Sequence, residues 1–171
     1  MSAAKTVQRT YLEMREQPSI DEVVWDDRIQ IVHAIKPTVS FYRYLYNTVG
    51  ESWTWIDRRK MSDEDLKQTI QNDKIQVHVL YLLGVPAGYI ELDFRNSLEI
   101  EIAYFGLMPE FIGQGFGKKF LQWGISRAWK VSPQRVWLHT CTLDHPGALP
   151  LYEKAGFKKY KTEEYILKEK E

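Results

Sequence analysis

The sequence predicts a mixed α/β domain in which one largely antiparallel sheet of six or seven strands carries about four helices. Three observations predict it. Residues 75–107 hold three segments of alternating apolar side chains, separated only by the turns Gly84-Val85-Pro86 and Asn96-Ser97, the pattern of an antiparallel meander. Residues 117–128 repeat small and apolar side chains at helical spacing and are followed by an extended segment, so a helix crosses between two strands, 98–107 and 135–143, that lie parallel. Two further helical segments precede the meander, and another precedes the last strand.

Taken in order, Val7–Met14 reads as an added edge strand or arm, and residues 1–27 as an N-terminal arm closing with the acidic, proline-containing stretch 16–27. Arg28–Ala34 alternates as a strand; Thr38 caps a helix through Phe41, Tyr42, Leu45 and Tyr46 that stops at Gly50. Glu51-Ser52-Trp53-Thr54-Trp55 is an aromatic loop, and Ser62-Asp63-Glu64-Asp65 opens a helix with acidic residues against its positive end. In the meander, Ile75, Val77, Val79 and Tyr81 mark one strand, and Gly88, Ile90, Leu92 and Phe94 the next. In the third, Leu98, Ile100, Ile102 and Tyr104 share one face while Glu99, Glu101, Ala103, Phe105 and Leu107 share the other. Arg135–Thr142 is a strand, and 157–167 the final one. The helix between them starts near Gly147, because Pro150 is tolerated only in a first turn.

Composition narrows the partners. The 171 residues, 44% apolar and 13% aromatic, suffice for one domain, 1–171. Lys plus Arg (23) balance Asp plus Glu (23), so no net field draws nucleic acid or an anionic membrane. The longest apolar stretch, Val77–Ile90, is interrupted and shorter than the ~20 residues of a spanning helix. A single cysteine, Cys141, and an N-terminus without a secretion-type apolar core point to a reducing cytoplasm. His33, His78 and His139 lack metal-ligand spacing, so no metal is expected.

The run Gly113-Gln114-Gly115-Phe116-Gly117 stands just before the crossover helix. Glycines alternating there strip side chains from one face of a turn, so backbone N–H groups and the positive helix end can converge on an anion such as phosphate. The plainer alternative is a turn that only reverses the chain. A dinucleotide site would need the glycines after an early strand, whereas an antiparallel meander precedes these.

Two motifs carry a resemblance. Pro109–Lys118 is similar to the acyl-CoA pyrophosphate loop, Q/R-x-x-G-x-G/A, of the GNAT superfamily of acyl-CoA-dependent N-acyltransferases, with Ile112 where Gln or Arg is usual. Ala148-Leu149-Pro150-Leu151-Tyr152-Glu153-Lys154-Ala155-Gly156-Phe157 is similar to the A-x-x-x-Y-x-x-x-G-F segment that closes the same core, with His145 where Asn often precedes it. The resemblance covers the second half of the chain and implies a three-layer domain with an acyl-CoA-binding core at 98–157, its parallel strands splayed.

The resemblance implies acetyl-CoA as cosubstrate, held at Ile112, Gly113, Gln114, Gly115, Phe116, Gly117 and Lys118. It implies further that the backbone of Phe105 and Leu107 pairs with the pantetheine arm, and that Tyr152 protonates the departing thiolate. An ammonium acceptor must lose a proton; Glu101, where a solvated strand face turns apolar, is the candidate base, with a water chain or a merely solvent-facing glutamate as alternatives. Tyr46, Trp53 and Trp55 occupy the region that lines the family's acceptor site, or else complete the core or a homodimer contact. The acceptor expected is a primary amine on a small molecule or peptide. A non-catalytic acyl-CoA-binding module of the same fold is the competing reading. Cys141, on an apolar strand without a partner, is not expected to carry the acyl group.

Overall fold

The computed structural model of the chain describes residues 5–167. Its elements are β1 (Lys5–Met14), β2 (Ile29–His33), α1 (Val39–Gly50), α2 (Asp63–Ile70), β3 (Ile75–Leu82), β4 (Val85–Asp93), β5 (Glu99–Leu107), α3 (Phe116–Trp129), β6 (Arg135–Cys141), α4 (Ala148–Lys154) and β7 (Lys158–Leu167). The strands form one sheet in the order β2-β3-β4-β5-β6-β1-β7, parallel at β5–β6 and antiparallel at the other junctions.

Local chemistry sets the element boundaries. Thr38 caps α1 by accepting from the Phe41 N–H at 3.3 Å, and Ser62 caps α2 by accepting from the Asp65 N–H at 3.1 Å. The β3–β4 hairpin turns on Leu83 and Gly84, both at positive φ (51° and 79°), a two-residue turn whose twist suits the flanking strands. β4 therefore starts at Val85, earlier than its alternation suggests, and absorbs Ala87 as a bulge. α4 starts at Ala148, which leaves Pro150 in its first turn.

Helices cover both faces. α1 and α2 pack Tyr42, Leu45, Val49, Leu66 and Ile70 onto Val77, Val79 and Tyr89. α3 and α4 pack Phe120, Ile125 and Tyr152 onto Leu80, Ile90, Leu92, Ile100 and Val136.

Two sequence expectations are corrected. The segment read as an edge strand or arm is interior: β1 pairs with β6 along one side and β7 along the other. Its buried Leu12 and Met14 belong to the core beneath α3, so apolar burial holds it inside the sheet. The faces of β5 are also exchanged part-way along. Glu91 pairs with Tyr104 and Leu92 with Ile102, leaving Ala103 as an extra residue, a bulge that inverts the alternation. Phe105 and Leu107 consequently join Ile100 and Ile102 on the α3 side, and Tyr104 joins the α1 side.

The parallel pairing is short. It links Glu99 to Arg135, Ile100 to Val136 and Glu101 to Trp137, and then the strands part.

Candidate active site

A cavity of about 590 Å³ opens where β5 and β6 separate. Its walls are β5 from Ile102 to Leu107, the glycine run, the turn into α4, the aromatic loop after α1, and residues of β1, β6 and β7. The chain thus brings both sequence motifs and the aromatic loop to one space.

Gly113 and Gly115 hold φ values of 84° and 85°, a conformation that disfavours any side chain, and a Cβ added at either would meet nothing within 4 Å. Gly115 occupies the cap position of α3 without a side chain to offer, in contrast to Thr38 and Ser62. The first-turn N–H groups of α3 have no acceptor within the helix, so this end suits an anion such as a pyrophosphate. Gly117 differs: a Cβ there would stand 3.7 Å from Leu107 Cδ1, an ordinary contact, so packing does not require its glycine. Ile112, Gly113, Gly115, Gly117 and Lys118 line the cavity. Gln114 and Phe116 do not, since Gln114 donates from Nε2 to the Glu110 carbonyl at 3.0 Å and Phe116 packs against the α3 core.

Phe105 and Leu107 lie on the wall, in the stretch of β5 that has lost β6 as a neighbour. Beside Phe105, with ring centroids 6.3 Å apart, stands Tyr152 of α4, 8% exposed and also on the wall. Burial, with the Asp144 carboxylate second, pushes the Tyr152 phenol well above its ordinary pKa, so it holds its proton at neutral pH.

The aromatic loop is fastened to the turn that leads into α4. Gly50 seats Trp55 where a Cβ would be only 2.5 Å away, and the Trp55 N–H donates to the Gly50 carbonyl at 3.0 Å. Trp55 Nε1 donates to Asp144 Oδ1 at 3.1 Å. Asp144 Oδ2 accepts from Thr140 Oγ1 at 2.7 Å and from the Cys141 N–H at 2.9 Å. Trp53 meets His145 edge-on at 4.9 Å, and His145 Nδ1 accepts from the Gly147 N–H at 2.9 Å, so His145 shapes the turn. Tyr46, Trp53 and Trp55 all line the cavity, with Tyr46 and Trp55 5.4 Å apart and both near Tyr104. Cys141 reaches the wall as well, but burial and Asp144 push its thiol pKa up, away from the nucleophilic thiolate.

Glu101 is not on the wall. It lies just behind Ile102, paired with Asp93 across the ladder, and burial followed by the Asp93 and Glu91 charges raises its pKa to about 7. Sequence reasoning missed what lies beside it. Glu91, fully buried, accepts from the Tyr42 hydroxyl and from Arg58 Nη2 at 2.5 Å. Arg58 also lies 5.2 Å over the Tyr104 ring, and its backbone N–H donates to the Tyr46 hydroxyl at 3.3 Å. No local signal marks it: Glu91 shares its strand face with Tyr89, and only the α1–α2 layer packed over that face buries it.

The sequence profile of the acetyltransferase (GNAT) family matches residues 42–157. The chain belongs to the GNAT family. The match takes in the glycine run, the splayed strands, Tyr152 and the aromatic loop. Among solved structures, the chain resembles a functionally unknown conserved protein from Staphylococcus epidermidis (TM-score 0.64, 19% identity, covering 96% of this chain and 62% of that one). It is similar also to a GCN5-related N-acetyltransferase from Sphaerobacter thermophilus (TM-score 0.71, 13% identity, 97% and 54%). A spermidine N-acetyltransferase from Vibrio cholerae, solved with CoA and spermine, matches with a TM-score of 0.63 at 18% identity, covering 80% of this chain and 84% of that one. At such identities the likeness is one of fold, and the chain spans 62% and 54% of the length of the first two of these structures. No curated protein matched the chain. Among the described residues, no helix is long and apolar enough to cross a membrane.

Proposed function

We propose that the chain transfers an acetyl group from acetyl-CoA directly to a primary amine. The observation that carries this reading is the single cavity that joins the uncapped, glycine-lined start of α3, the parted β5–β6 pair, Tyr152 and the aromatic loop.

The amides of residues 113–118 hold the pyrophosphate, and the free backbone groups of Phe105 and Leu107 pair with the pantetheine arm as an added strand. The cosubstrate supplies an activated acetyl group at the splay. Trp53, Trp55 and Tyr46 offer aromatic faces to the acceptor, which suits an ammonium on an apolar body. Glu101, with a pKa of about 7, is half ionised at neutral pH and takes the ammonium proton through water. The amine nitrogen then bonds to the acetyl carbon, the carbon–sulfur bond breaks, Tyr152 Oη gives its proton to the sulfur, and the proton that the nitrogen sheds as it becomes an amide returns to the Tyr152 phenolate. Holding both reactants in one enclosed geometry supplies most of the acceleration.

A free-thiol assay of CoA release across a panel of amines and peptides tests the reading. Acceptor-dependent release is expected, with a fall of about 100-fold in Tyr152→Phe while CoA affinity is kept. Tight CoA binding without release for any acceptor would favour the non-catalytic module; unchanged turnover in Tyr152→Phe would remove the acid role.

A further inference from the structure

Arg9 stands on the wall of this cavity and has been given no task. It lies on β1, opposite Cys141 of β6 and Glu163 of β7, at the lip where β6 leaves β5. Its guanidinium is 5.0 Å over the Tyr165 ring, another residue of the wall. Each of the other arginines donates to a carboxylate, amide or backbone carbonyl oxygen, as Arg28 does to Asp26 and Arg135 to Glu13 and Glu99. Arg9 alone has no such acceptor among the described residues: its polar neighbours are the Tyr11 and Tyr165 phenols, and its Nε is buried without a partner.

The neighbouring acids are committed elsewhere. Glu163, across the ladder, accepts from the Tyr11 hydroxyl at 2.8 Å and pairs with Lys161. Asp144 accepts from Trp55, Thr140 and the Cys141 N–H. His139, also on the wall, is kept neutral first by burial and then by the Arg9 charge, so it adds no second cation. The remaining cations of the wall, Lys60 and Lys118, belong to the acceptor loop and the glycine run. The result is one planar, singly charged fork facing a shared cavity, whose charge one carboxylate balances with two parallel hydrogen bonds.

We infer that Arg9 binds a carboxylate of the acceptor, so that the preferred acceptors carry an amine and a carboxylate on one molecule. This rests on the acetyl-transfer reading for what is done to the amine. The aromatic loop and Arg9 line the same cavity from different elements, so the apolar body and the carboxylate of one acceptor can be held in one space.

The test compares amino acids with their decarboxylated amines, phenylalanine with phenethylamine and 4-aminobutyrate with propylamine, in the CoA-release assay. The acid of each pair is expected to have a kcat/KM about 10–100-fold higher, mostly through KM. Arg9→Met keeps an unbranched stem without the guanidinium and is expected to abolish the preference, while Arg9→Lys restores part of it. Equal use of acid and amine by the unaltered protein, or an equal loss for both in Arg9→Met, overturns the inference.

A calorimetric titration of N-acetylphenylalanine into protein saturated with CoA supplies a readout free of turnover. Binding weakened at least 10-fold by Arg9→Met, with N-acetylphenethylamine unaffected, supports the carboxylate site even where no amine drives CoA release, in which case it is the transfer reading that fails. Should Arg9→Met weaken CoA but not dephospho-CoA, Arg9 serves the cosubstrate's 3′-phosphate and the inference is overturned.

Discussion

Replacement of Glu91 with leucine leaves Arg58 as a charge facing a sealed interior. Glu91 is fully buried and the Arg58 side chain is 15% exposed, so neither end of the pair is rescued by solvent. Breaking such a pair by removing one partner costs about 3–5 kcal/mol, because the remaining charge loses its compensation. For a domain of this length each kcal/mol corresponds to roughly 2–4 °C, so Glu91→Leu is expected to lower Tm by about 6–20 °C. Glu91→Gln keeps the side chain's shape and one acceptor oxygen for Tyr42 or Arg58, and belongs at the low end of that range.

The double variant Arg58→Met/Glu91→Leu removes both charges and should recover much of the loss; thermal melts and urea titrations of the original protein, Glu91→Leu, Arg58→Met and the double variant measure the coupling energy. Through Arg58 the pair also reaches Tyr46 and Tyr104 of the cavity wall, so acceptor KM should rise in Glu91→Gln while CoA affinity stays unchanged. A Glu91→Leu protein within about 1 kcal/mol of the original, or a double variant no more stable than Glu91→Leu, would show that an uncompensated Arg58 charge is not what the replacement costs.

Other outcomes follow from the same geometry. Glu101 has a folded pKa of about 7 against an ordinary 4.5, so between those pH values the fold keeps a proton that the unfolded chain has released. Its contribution to stability is therefore lost as pH rises through that window; Glu101→Gln should shrink the fall in Tm between pH 5 and pH 8, and should flatten any limb of kcat/KM that rises near pH 7. An unchanged limb would exclude Glu101 as the base. Gly117→Ala meets only an ordinary contact at Leu107 and should stabilise the helix start by up to about 1 kcal/mol, yet weaken CoA about 10-fold by standing between the backbone and the pyrophosphate. Unaltered affinity, measured by titration with CoA, would mean that no close backbone approach occurs there.

The readable parts of this fold were those written in local chemistry. Thr38 and Ser62 cap their helices, Pro150 sets the start of α4, and the two motifs reach one cavity because they flank the crossover. What the sequence hid was non-local. Alternation along 98–107 is a statement about two faces, and a single extra residue at Ala103, visible only against the partner strand, exchanges them. Glu91 reads as a solvent-facing strand residue until a second helical layer covers it. Glu101 was chosen for its place along β5, and the cavity wall begins one residue further on, at Ile102. Arg9 gives no signal because its segment reads as a peripheral arm, and only the ladders with β6 and β7 bring it to the cavity.

The interior position of β1 makes the earliest part of the chain wait for the latest. Its ladder with β6 joins Arg9 to Cys141 and Met14 to Val136, and its ladder with β7 joins Lys5 to Leu167. Closing loops of more than 100 residues costs roughly 4 kcal/mol of chain entropy before either ladder returns any stabilisation. The helices and the β3–β4–β5 meander have no such delay, since their contacts are local. Assembly is therefore expected to proceed from the middle outward, with residues 5–14 inserted last as a wedge between β6 and β7. Until that insertion one edge of β6 stands open and β7 has no neighbour, so a nascent chain carries its site half-built, lacking the wall on which Arg9 stands. The same ten-residue strand that completes the sheet also completes the cavity, and the two events are one step.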